Sequence, residues 1–312
     1  MDHLRGRDFL SLKDFDGRSL YQMLDAAQRF KAMNHGHIPH THVLRGKTLA
    51  MIFSKSSTRT RVSFETGIWQ LGGLGQFLSS NDLQVGRGET IHDTAKVLSR
   101  YVDGIMIRTF DHQDVVDLAE HASVPVINGL TDLLHPCQVM ADFLTIKEHR
   151  QTIQGCKVAY IGDGNNMANS LMFGGARFGA HVTICSPERY LPDTEMVDQA
   201  RAIAEDEQGT DIHVETDVFK AVQGADVIYT DVWASMGQES QQQERLQEFR
   251  EYQVNQELLR HAKSDAVVMH CLPAHRGEEI SAEVIDGPQS IVFDQAENRL
   301  HAQKAIMAVL MR

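Results

Sequence analysis

The stretch that decides the fold is Thr48-Leu-Ala-Met-Ile-Phe53, followed three residues later by Ser57-Thr-Arg-Thr-Arg-Val-Ser-Phe-Glu65. The short apolar run predicts a buried strand, and the segment from Val62 has helical spacing. The N–H groups that open a helix have no internal partners and lie at the positive end of its dipole, so they suit an anion such as phosphate. Hydroxyls and Arg59 add further donors at this turn. The simpler alternative is an ordinary Ser/Thr helix cap beside solvated arginines.

Short apolar runs alternate with amphipathic segments along nearly the whole chain. This alternation predicts βαβ units, with parallel sheets and helices on both of their faces. The expected strands are 48–53, 104–108, 124–128, 157–161, 181–185, 212–215, 227–231, 266–270 and 290–294. Expected helices include 62–71, 90–101, 138–148, 167–178, 195–206 and 298–311. A polar stretch at 149–155 precedes a new strand, so we expect a domain boundary there.

Length and composition limit the class of protein. The chain has 312 residues, which favours two domains, and its 42% hydrophobic and 23% charged residues are typical of a soluble globular protein. The formal net charge of −12 argues against a nucleic-acid partner, although a few arginines can still form a local anion site.

Targeting and redox features point to the cytoplasm. The apolar runs are far too short to span a bilayer, so no membrane partner is expected, and the first ten residues show no secretory signal. The four cysteines, at 137, 156, 185 and 271, form no CxxC pair. Reduced thiols in a cytosolic protein are therefore expected, rather than disulfides or a zinc knuckle.

Polar residues follow several of the expected strands, at the edge where parallel sheets bind ligands. Arg108 ends one strand, and His135-Pro-Cys-Gln138 opens a helix at a position that suits proline. Asp231 follows another strand and can hold an amine by its charge. Each of these residues has a plain structural alternative as a strand end, a helix cap or a surface loop.

Two further segments have an open interpretation. Gly162-Asp-Gly164 resembles the start of a dinucleotide fingerprint, but Met167 fills the third glycine position and no acidic residue ends the next strand. A tight turn that leaves asparagines facing a polar ligand is the preferred interpretation. In His270-Cys-Leu-Pro273, the proline predicts an extended Leu272 whose carbonyl faces outward. Cys271 has no evident base beside it, so a weak proton partner is favoured over a nucleophile.

Four motifs occur here in one order, and together they closely resemble the ornithine carbamoyltransferases. They are Ser57-Thr-Arg-Thr-Arg61 with Phe64-Glu65, His135-Pro-Cys-Gln138, Asp231-Val-Trp-Ala-Ser-Met-Gly237 and His270-Cys-Leu-Pro273. The resemblance runs from about Leu44 to Arg299. It implies an α/β fold of two doubly wound parallel-sheet domains of similar size, with a C-terminal helix that returns to the first domain. The implied domains are 1–149 with 298–312 for carbamoyl phosphate, and 150–297 for ornithine.

The resemblance also implies a set of site residues and a reaction. The reaction is transfer of the carbamoyl group from carbamoyl phosphate to the δ-amine of L-ornithine, giving citrulline and phosphate without a metal or cofactor. The implied catalytic residues are Arg59, Arg108, His135, Asp231 and Cys271. Carbamoyl phosphate would contact Ser57, Thr58, Arg59, Thr60, Gln84, Arg108, His135, Pro136, Cys137, Gln138, Cys271, Leu272 and Arg299. Ornithine would contact Asn166, Asp231, Ser235 and Met236.

Gln84 would act from a neighbouring subunit, because the family forms trimers. Several alternatives stay open at this stage. One is a carbamoyltransferase whose acceptor is aspartate, putrescine or an acylated ornithine. Another is a nucleotide-dependent oxidoreductase, and the third is a protein that binds anions without catalysis. The sequence leaves undecided the physiological direction, trimer against larger assembly, and whether Asn165 or Asn169 also contacts ornithine.

Overall fold

A computed structural model describes residues 2–80, 83, 88–207, 209–234 and 242–312. The chain divides into two compact units, one of residues 1–144 with 297–312 and one of residues 145–296. Each unit contains its own parallel β-sheet with helices between successive strands. This confirms the expected α/β fold with two parallel-sheet domains.

The first unit contains a four-stranded sheet in the order β2-β1-β3-β4, with every pair parallel. Its strands are β1 (Thr48–Phe53), β2 (Leu74–Ser79), β3 (Gly104–Arg108) and β4 (Val126–Leu130). Its helices are α1 (Gly17–His35), α2 (Thr58–Gln70), α3 (Ile91–Leu98), α4 (His112–His121) and most of α5 (Pro136–Arg150). Aliphatic side chains of β1, β3 and β4 pack against α3 and α4 to form one core cluster.

The second unit contains a five-stranded parallel sheet in the order β7-β6-β5-β8-β9. Its strands are β5 (Lys157–Ile161), β6 (His181–Cys185), β7 (Ile212–Glu215), β8 (Val227–Thr230) and β9 (Val267–His270). Its helices are α6 (Asn166–Phe178), α7 (Thr194–Glu207), α8 (Val218–Val222), α9 (Gln242–Glu248), α10 (Gln256–Leu259) and α11 (Ala282–Ile285). The final helix, α12 (Val292–Leu310), belongs to the first unit from Glu297 onward.

Strand order reverses once in each sheet, and this places the candidate sites. In the first sheet the chain goes from β1 outward to β2 and then back to β3 on the other side of β1. In the second sheet it goes from β5 outward through β6 to β7 and returns to β8 beside β5. Ligands of open parallel sheets bind at the carboxyl ends of strands at such a switch point. Phe53 pairs with Arg108 at one switch point, and Ile161 pairs with Thr230 at the other.

One strand prediction is wrong, and one observed strand was not predicted. Within the stretch 290–294, Ser290 makes an isolated bridge to Val268 of β9, and helix α12 begins at Val292. A short apolar run does not distinguish a strand from the start of a buried helix. Conversely, β2 was not expected, because Leu74–Ser79 lacks β-branched residues, contains Gly75 and is a partly exposed edge strand.

Candidate active site

The start of helix α2 follows β1 at the switch point of the first sheet. Ser57 is its N-cap, in an extended conformation, and its Oγ accepts a hydrogen bond from the Thr60 N–H at 3.2 Å. Thr58 is exposed and Arg59 is half-buried, so both are open to a ligand. The sequence Ser-Thr-Arg-Thr thus forms a capped helix start whose first-turn N–H groups suit an anion.

Thr60 joins two buried guanidinium groups from distant parts of the first unit. Arg108, at the end of β3, donates from Nη1 to Thr60 Oγ1 at 3.5 Å. Arg299, on α12, donates from Nη2 to the same oxygen at 3.3 Å. Arg299 also donates from Nη1 to Gln138 Oε1 at 2.6 Å. The structure therefore brings together four residues that the sequence analysis placed at a carbamoyl phosphate site.

His135 precedes α5 and lies close to the same cations. It is 5% exposed, and burial lowers the pKa of its imidazole well below the usual value. The positive charges of Arg299, Arg108 and Arg59 lower this pKa further. The imidazole is therefore neutral at physiological pH, and it can donate one hydrogen bond without adding a charge.

The thiol of Cys137 lies in the core of the first unit rather than at the candidate site. It is fully buried, and its Sγ donates to the carbonyl of Asn128 at 3.3 Å. Burial raises the pKa of this thiol to about 12. Pro136 begins helix α5. Cys137 thus contributes packing with its side chain, and only its backbone is suited to meet an anion at the helix start.

Lys55 is a cation beside this site to which the sequence analysis assigned no role. It follows β1 by two residues, is 4% exposed and forms an ion pair with Asp132. Its ammonium group lies 4.2 Å from the centre of the Phe110 ring. Its position just after a strand at the switch point was the available signal.

Asp231 and Cys271 meet at the second switch point. Asp231 directly follows β8 and Cys271 directly follows β9, which is the neighbouring strand. The Cys271 thiol donates to Asp231 Oδ1 at 2.9 Å, and the N–H of Val232 donates to the same oxygen at 2.8 Å. Asp231 is 6% exposed. A carboxylate and a thiol in contact can hold an amine and share its proton.

The turn after β9 is fixed by the side chain of His270. Its Nδ1 accepts from the N–H of Leu272 at 2.8 Å, which places its proton on Nε2, 2.9 Å from Glu279 Oε1. Leu272 has φ +57 and a cis peptide bond to Pro273. The expectation of an extended Leu272 is therefore wrong, because the bond to His270 selects a left-handed conformation. This contact between neighbouring residues was not readable from the motif.

The turn Gly162–Asn166 opens helix α6 beside Asp231. Asn165 is the helix N-cap, and its Oδ1 accepts from the N–H of Met167 at 2.9 Å. Gly164 is required here, because a Cβ on it would lie 2.2 Å from the nitrogen of Pro192. Asn166 is the first residue of the helix and is half-buried. This geometry accounts for the glycines as a tight turn.

Three of the expected site residues, Gln84, Ser235 and Met236, lie outside the described residues. The remaining candidates divide between the two units. Those for carbamoyl phosphate lie in the first unit, except Cys271 and Leu272, and the described candidates for ornithine lie in the second.

Family models match nearly the whole chain. The model of the "Aspartate/ornithine carbamoyltransferase, carbamoyl-P binding domain" matches residues 7–148, and that of the "Asp/Orn binding domain" matches residues 154–310. The chain belongs to the aspartate/ornithine carbamoyltransferase family. The resemblance carried by the four motifs is thereby confirmed.

Individual relatives of this family are similar over their full lengths. The ornithine carbamoyltransferase of Oceanobacillus iheyensis is 60% identical over 99% of this chain and 95% of that protein. That of Thermococcus kodakarensis is 59% identical over 99% of this chain and 97% of that protein. The solved structure of the Pyrococcus furiosus ornithine carbamoyltransferase is 56% identical, with a TM-score of 0.96 over 99% of this chain and 98% of that one.

Two groups of potential metal ligands are explained by hydrogen bonding instead. The first group is Asp231, His270 and Cys271. Both ring nitrogens of His270 already form hydrogen bonds, one with Leu272 and one with Glu279. His270 is therefore not available as a ligand in this conformation, which leaves two candidate ligands there. That this family member needs no metal or organic cofactor stays a prediction.

The second group, His35, Glu297 and His301, has both histidines facing Oε1 of Glu297, at 2.7 and 3.1 Å. Nδ1 of His301 is buried and has no hydrogen-bond partner in the described part of the chain. The proton of this imidazole therefore sits on Nε2, and a metal there would force it onto the buried Nδ1 at a cost of about 1–3 kcal/mol. The trio is a hydrogen-bonded link between α1 and α12.

In the ranges that the structure describes, we find no helix with both the length and the apolar character needed to cross a membrane.

Proposed function

We propose that this chain transfers the carbamoyl group of carbamoyl phosphate to the δ-amine of L-ornithine, giving L-citrulline and phosphate. A C–N bond forms, the C–O bond to phosphate breaks, and the amine loses a proton. The observation that carries this proposal is the convergence of Arg108 and Arg299 on Thr60 at the capped start of α2. The names of the relatives at 56–60% identity support ornithine as acceptor.

In the first unit, the proposed task is to bind carbamoyl phosphate and stabilise the charge that develops. Ser57, Thr58, Arg59 and the first-turn N–H groups of α2 would bind the phosphate, which is the leaving group. Thr60 and neutral His135, with Arg59, would donate to the carbonyl oxygen as it becomes an oxyanion. One lost donor of this kind typically costs about 10²–10³ in rate.

Further residues would complete the carbamoyl phosphate site. Arg299 is held by Gln138 and Thr60, and Arg108 also contacts Thr60. Their positions therefore depend little on the ligand. Such preorganised donors stabilise a developing charge without reorganisation. Pro136 and Cys137 would contribute through the backbone at the start of α5.

In the second unit, the proposed task is to bind ornithine and take up a proton. Asp231 would hold an amino group of ornithine, while the Cys271 thiol and the Leu272 carbonyl would lie at the reaction centre. An alkylamine has a pKa of about 10.4, so it must be deprotonated before it attacks. Contact of the amine with Asp231 and Cys271 would provide a path for this proton to leave. Asn166, Ser235 and Met236 would bind the amino acid part.

We further propose a cytoplasmic homo-oligomer that is a trimer or a multiple of trimers, with Gln84 completing the site of a neighbouring subunit. The exposed side chains of Trp69 (72%) and Leu74 (58%), on α2 and the edge strand β2, support a protein contact there. The four cysteines, all within the described ranges, form no disulfide, which supports a reducing compartment.

A citrulline assay tests the function. Purified chain should form citrulline from carbamoyl phosphate and ornithine, and far more slowly carbamoylate aspartate, putrescine or N-acetylornithine. A faster rate with one of these compounds would show that it is the acceptor and that ornithine is not. In Arg59→Ala, carbamoyl phosphate affinity should fall steeply. Retention of both affinity and rate within a few-fold would place the anion site elsewhere. Light scattering on the same sample gives the subunit number.

A further inference from the structure

Gln303 is a fully buried amide on α12, one turn after Arg299. With its oxygen turned toward Arg299, it accepts from Nη2 at 3.0 Å. Its nitrogen then donates to the Arg299 carbonyl at 3.1 Å and to Ser63 Oγ at 2.5 Å. In the opposite orientation its oxygen would face only acceptors and its nitrogen only donors, so hydrogen bonding selects the first orientation.

Ser63 extends this contact to the first turn of α2. Its hydroxyl donates to the carbonyl of Arg59 at 2.6 Å and lies 3.2 Å from the carbonyl of Thr60. The hydroxyl can therefore accept from Gln303 while it donates to the helix backbone. Gln303 is thus joined on one side to the guanidinium of Arg299 and on the other to the helix turn that carries Arg59 and Thr60.

The orientation of Arg299 depends on these acceptors. Its Nη1 is held by Gln138 at 2.6 Å, and its Nη2 meets Thr60 at 3.3 Å and Gln303 at 3.0 Å. A planar guanidinium binds anions well only when its N–H groups point in fixed directions. Loss of Gln303 as an acceptor removes the shorter of these two hydrogen bonds from Nη2.

We propose that Gln303 is a positioning residue for carbamoyl phosphate binding, which fixes Arg299 relative to the first turn of α2. This inference rests on the proposed function. It adds a residue outside the four motifs, one that acts through Arg299 and Ser63 rather than on the substrate.

Lys304 provides a matched control for this proposal. It is the next residue on α12 and is also fully buried. Its ammonium group donates to Gln70 Oε1 at 2.8 Å and lies 3.2 Å from His40 Nε2. A substitution of Lys304 therefore disturbs the same helix at the same depth, but it changes hydrogen bonds to residues outside the proposed substrate contacts.

The experiment compares Gln303→Met with Lys304→Met, both of which keep an unbranched side chain. For Gln303→Met we expect the KM for carbamoyl phosphate and the inhibition constant of inorganic phosphate to rise together, by roughly tenfold. The KM for ornithine should stay within about twofold, and Lys304→Met should change neither anion constant. Gln303→Glu should also weaken anion binding, because its carboxylate holds Arg299 but offsets its charge.

Two results would overturn the proposal. One is a Gln303→Met enzyme with unchanged carbamoyl phosphate and phosphate constants. The other is an equal loss in Gln303→Met and Lys304→Met, which would indicate general packing. If Gln303→Met does not fold, Gln303→Glu alone decides, because unchanged anion constants in it contradict the proposal. Citrulline formation by the unsubstituted protein is measured in parallel, so failure of the proposed function is seen separately.

Discussion

The thiol of Cys271 donates to Oδ1 of Asp231, with the sulfur 2.9 Å from the oxygen. The two residues follow neighbouring strands of one parallel sheet, β9 and β8, at its switch point. Because the same oxygen also accepts from the Val232 N–H, the carboxylate has a fixed position before any substrate arrives. A fixed carboxylate in contact with a thiol can contribute in two ways. It can bind an amine through its charge, and it can take part in the proton transfer that follows.

Asp231→Asn tests the charge-based binding of the amine. The substitution keeps the shape of the side chain and removes its charge, so the KM for ornithine should rise roughly 10- to 100-fold. The dissociation constant of carbamoyl phosphate, measured without ornithine, should not change. Steady-state kinetics and titration calorimetry provide the two values. An equal effect on both substrates would remove Asp231 from its proposed role.

His135→Asn tests the neutral imidazole beside the arginines. Burial and three cations lower the pKa of His135. We therefore expect the pH dependence of carbamoyl phosphate binding to show no step from this residue at the ordinary histidine pKa of about 6.5. In His135→Asn, kcat should fall by about 10²–10³ while the KM for carbamoyl phosphate changes little. A binding step near that pH that disappears in the variant would mean that His135 titrates in the folded protein.

The sequence was most informative where chemistry follows a strand. Arg108 and Asp231 lie at carboxyl strand ends, and parallel pairing alone places such residues at the ligand-binding edge of their sheets. The alternation of strands and helices likewise predicted the α/β fold. These features depend on local patterns, which a single sequence contains.

Contacts between distant segments were not predictable in the same way. The sequence predicts a helix over 298–311, but it does not show that Gln303 of this helix contacts Ser63. Leu272 adopts its left-handed conformation because of the His270 ring, which overrides the usual preference of a residue before proline. The stretch 290–294 was predicted as a strand, although α12 begins at Val292, because an apolar run of that length fits either structure.

His301 should make stability depend on pH. Burial lowers the pKa of its imidazole to about 4, below the value of about 6.5 in the unfolded chain. The unfolded state therefore binds the proton first as pH falls. The contribution of His301 is fully favourable above about pH 6.5 and decreases by up to about 3 kcal/mol as the pH falls toward 4.

Urea unfolding at several pH values checks this sign. His301→Gln keeps a donor for Glu297 and removes the titrating group, so it should lose less stability than the unsubstituted protein between about pH 7 and pH 5. The comparison with the unsubstituted protein cancels the effect of other buried histidines. A steeper loss in His301→Gln would show that the imidazole is protonated in the folded state.

Gly164→Ala tests how closely the turn before α6 approaches the segment that follows β6. A methyl group on Gly164 would lie 2.2 Å from the nitrogen of Pro192 and 2.5 Å from the carbonyl carbon of Leu191. Both are backbone atoms, so the turn itself must move, and we expect a loss of about 1–3 kcal/mol or more in the free energy of unfolding. Because Asn166 follows this turn, the KM for ornithine should rise as well.

Gly224→Ala is the control, since a Cβ there has no atom within 4 Å, while the residue has φ +67. It carries only the backbone cost of a left-handed residue, about 1–2 kcal/mol, and should leave the KM for ornithine unchanged. Chemical unfolding and steady-state kinetics on both variants give the comparison. If Gly164→Ala changes stability no more than Gly224→Ala and leaves the ornithine constant intact, the close approach at Pro192 does not position Asn166.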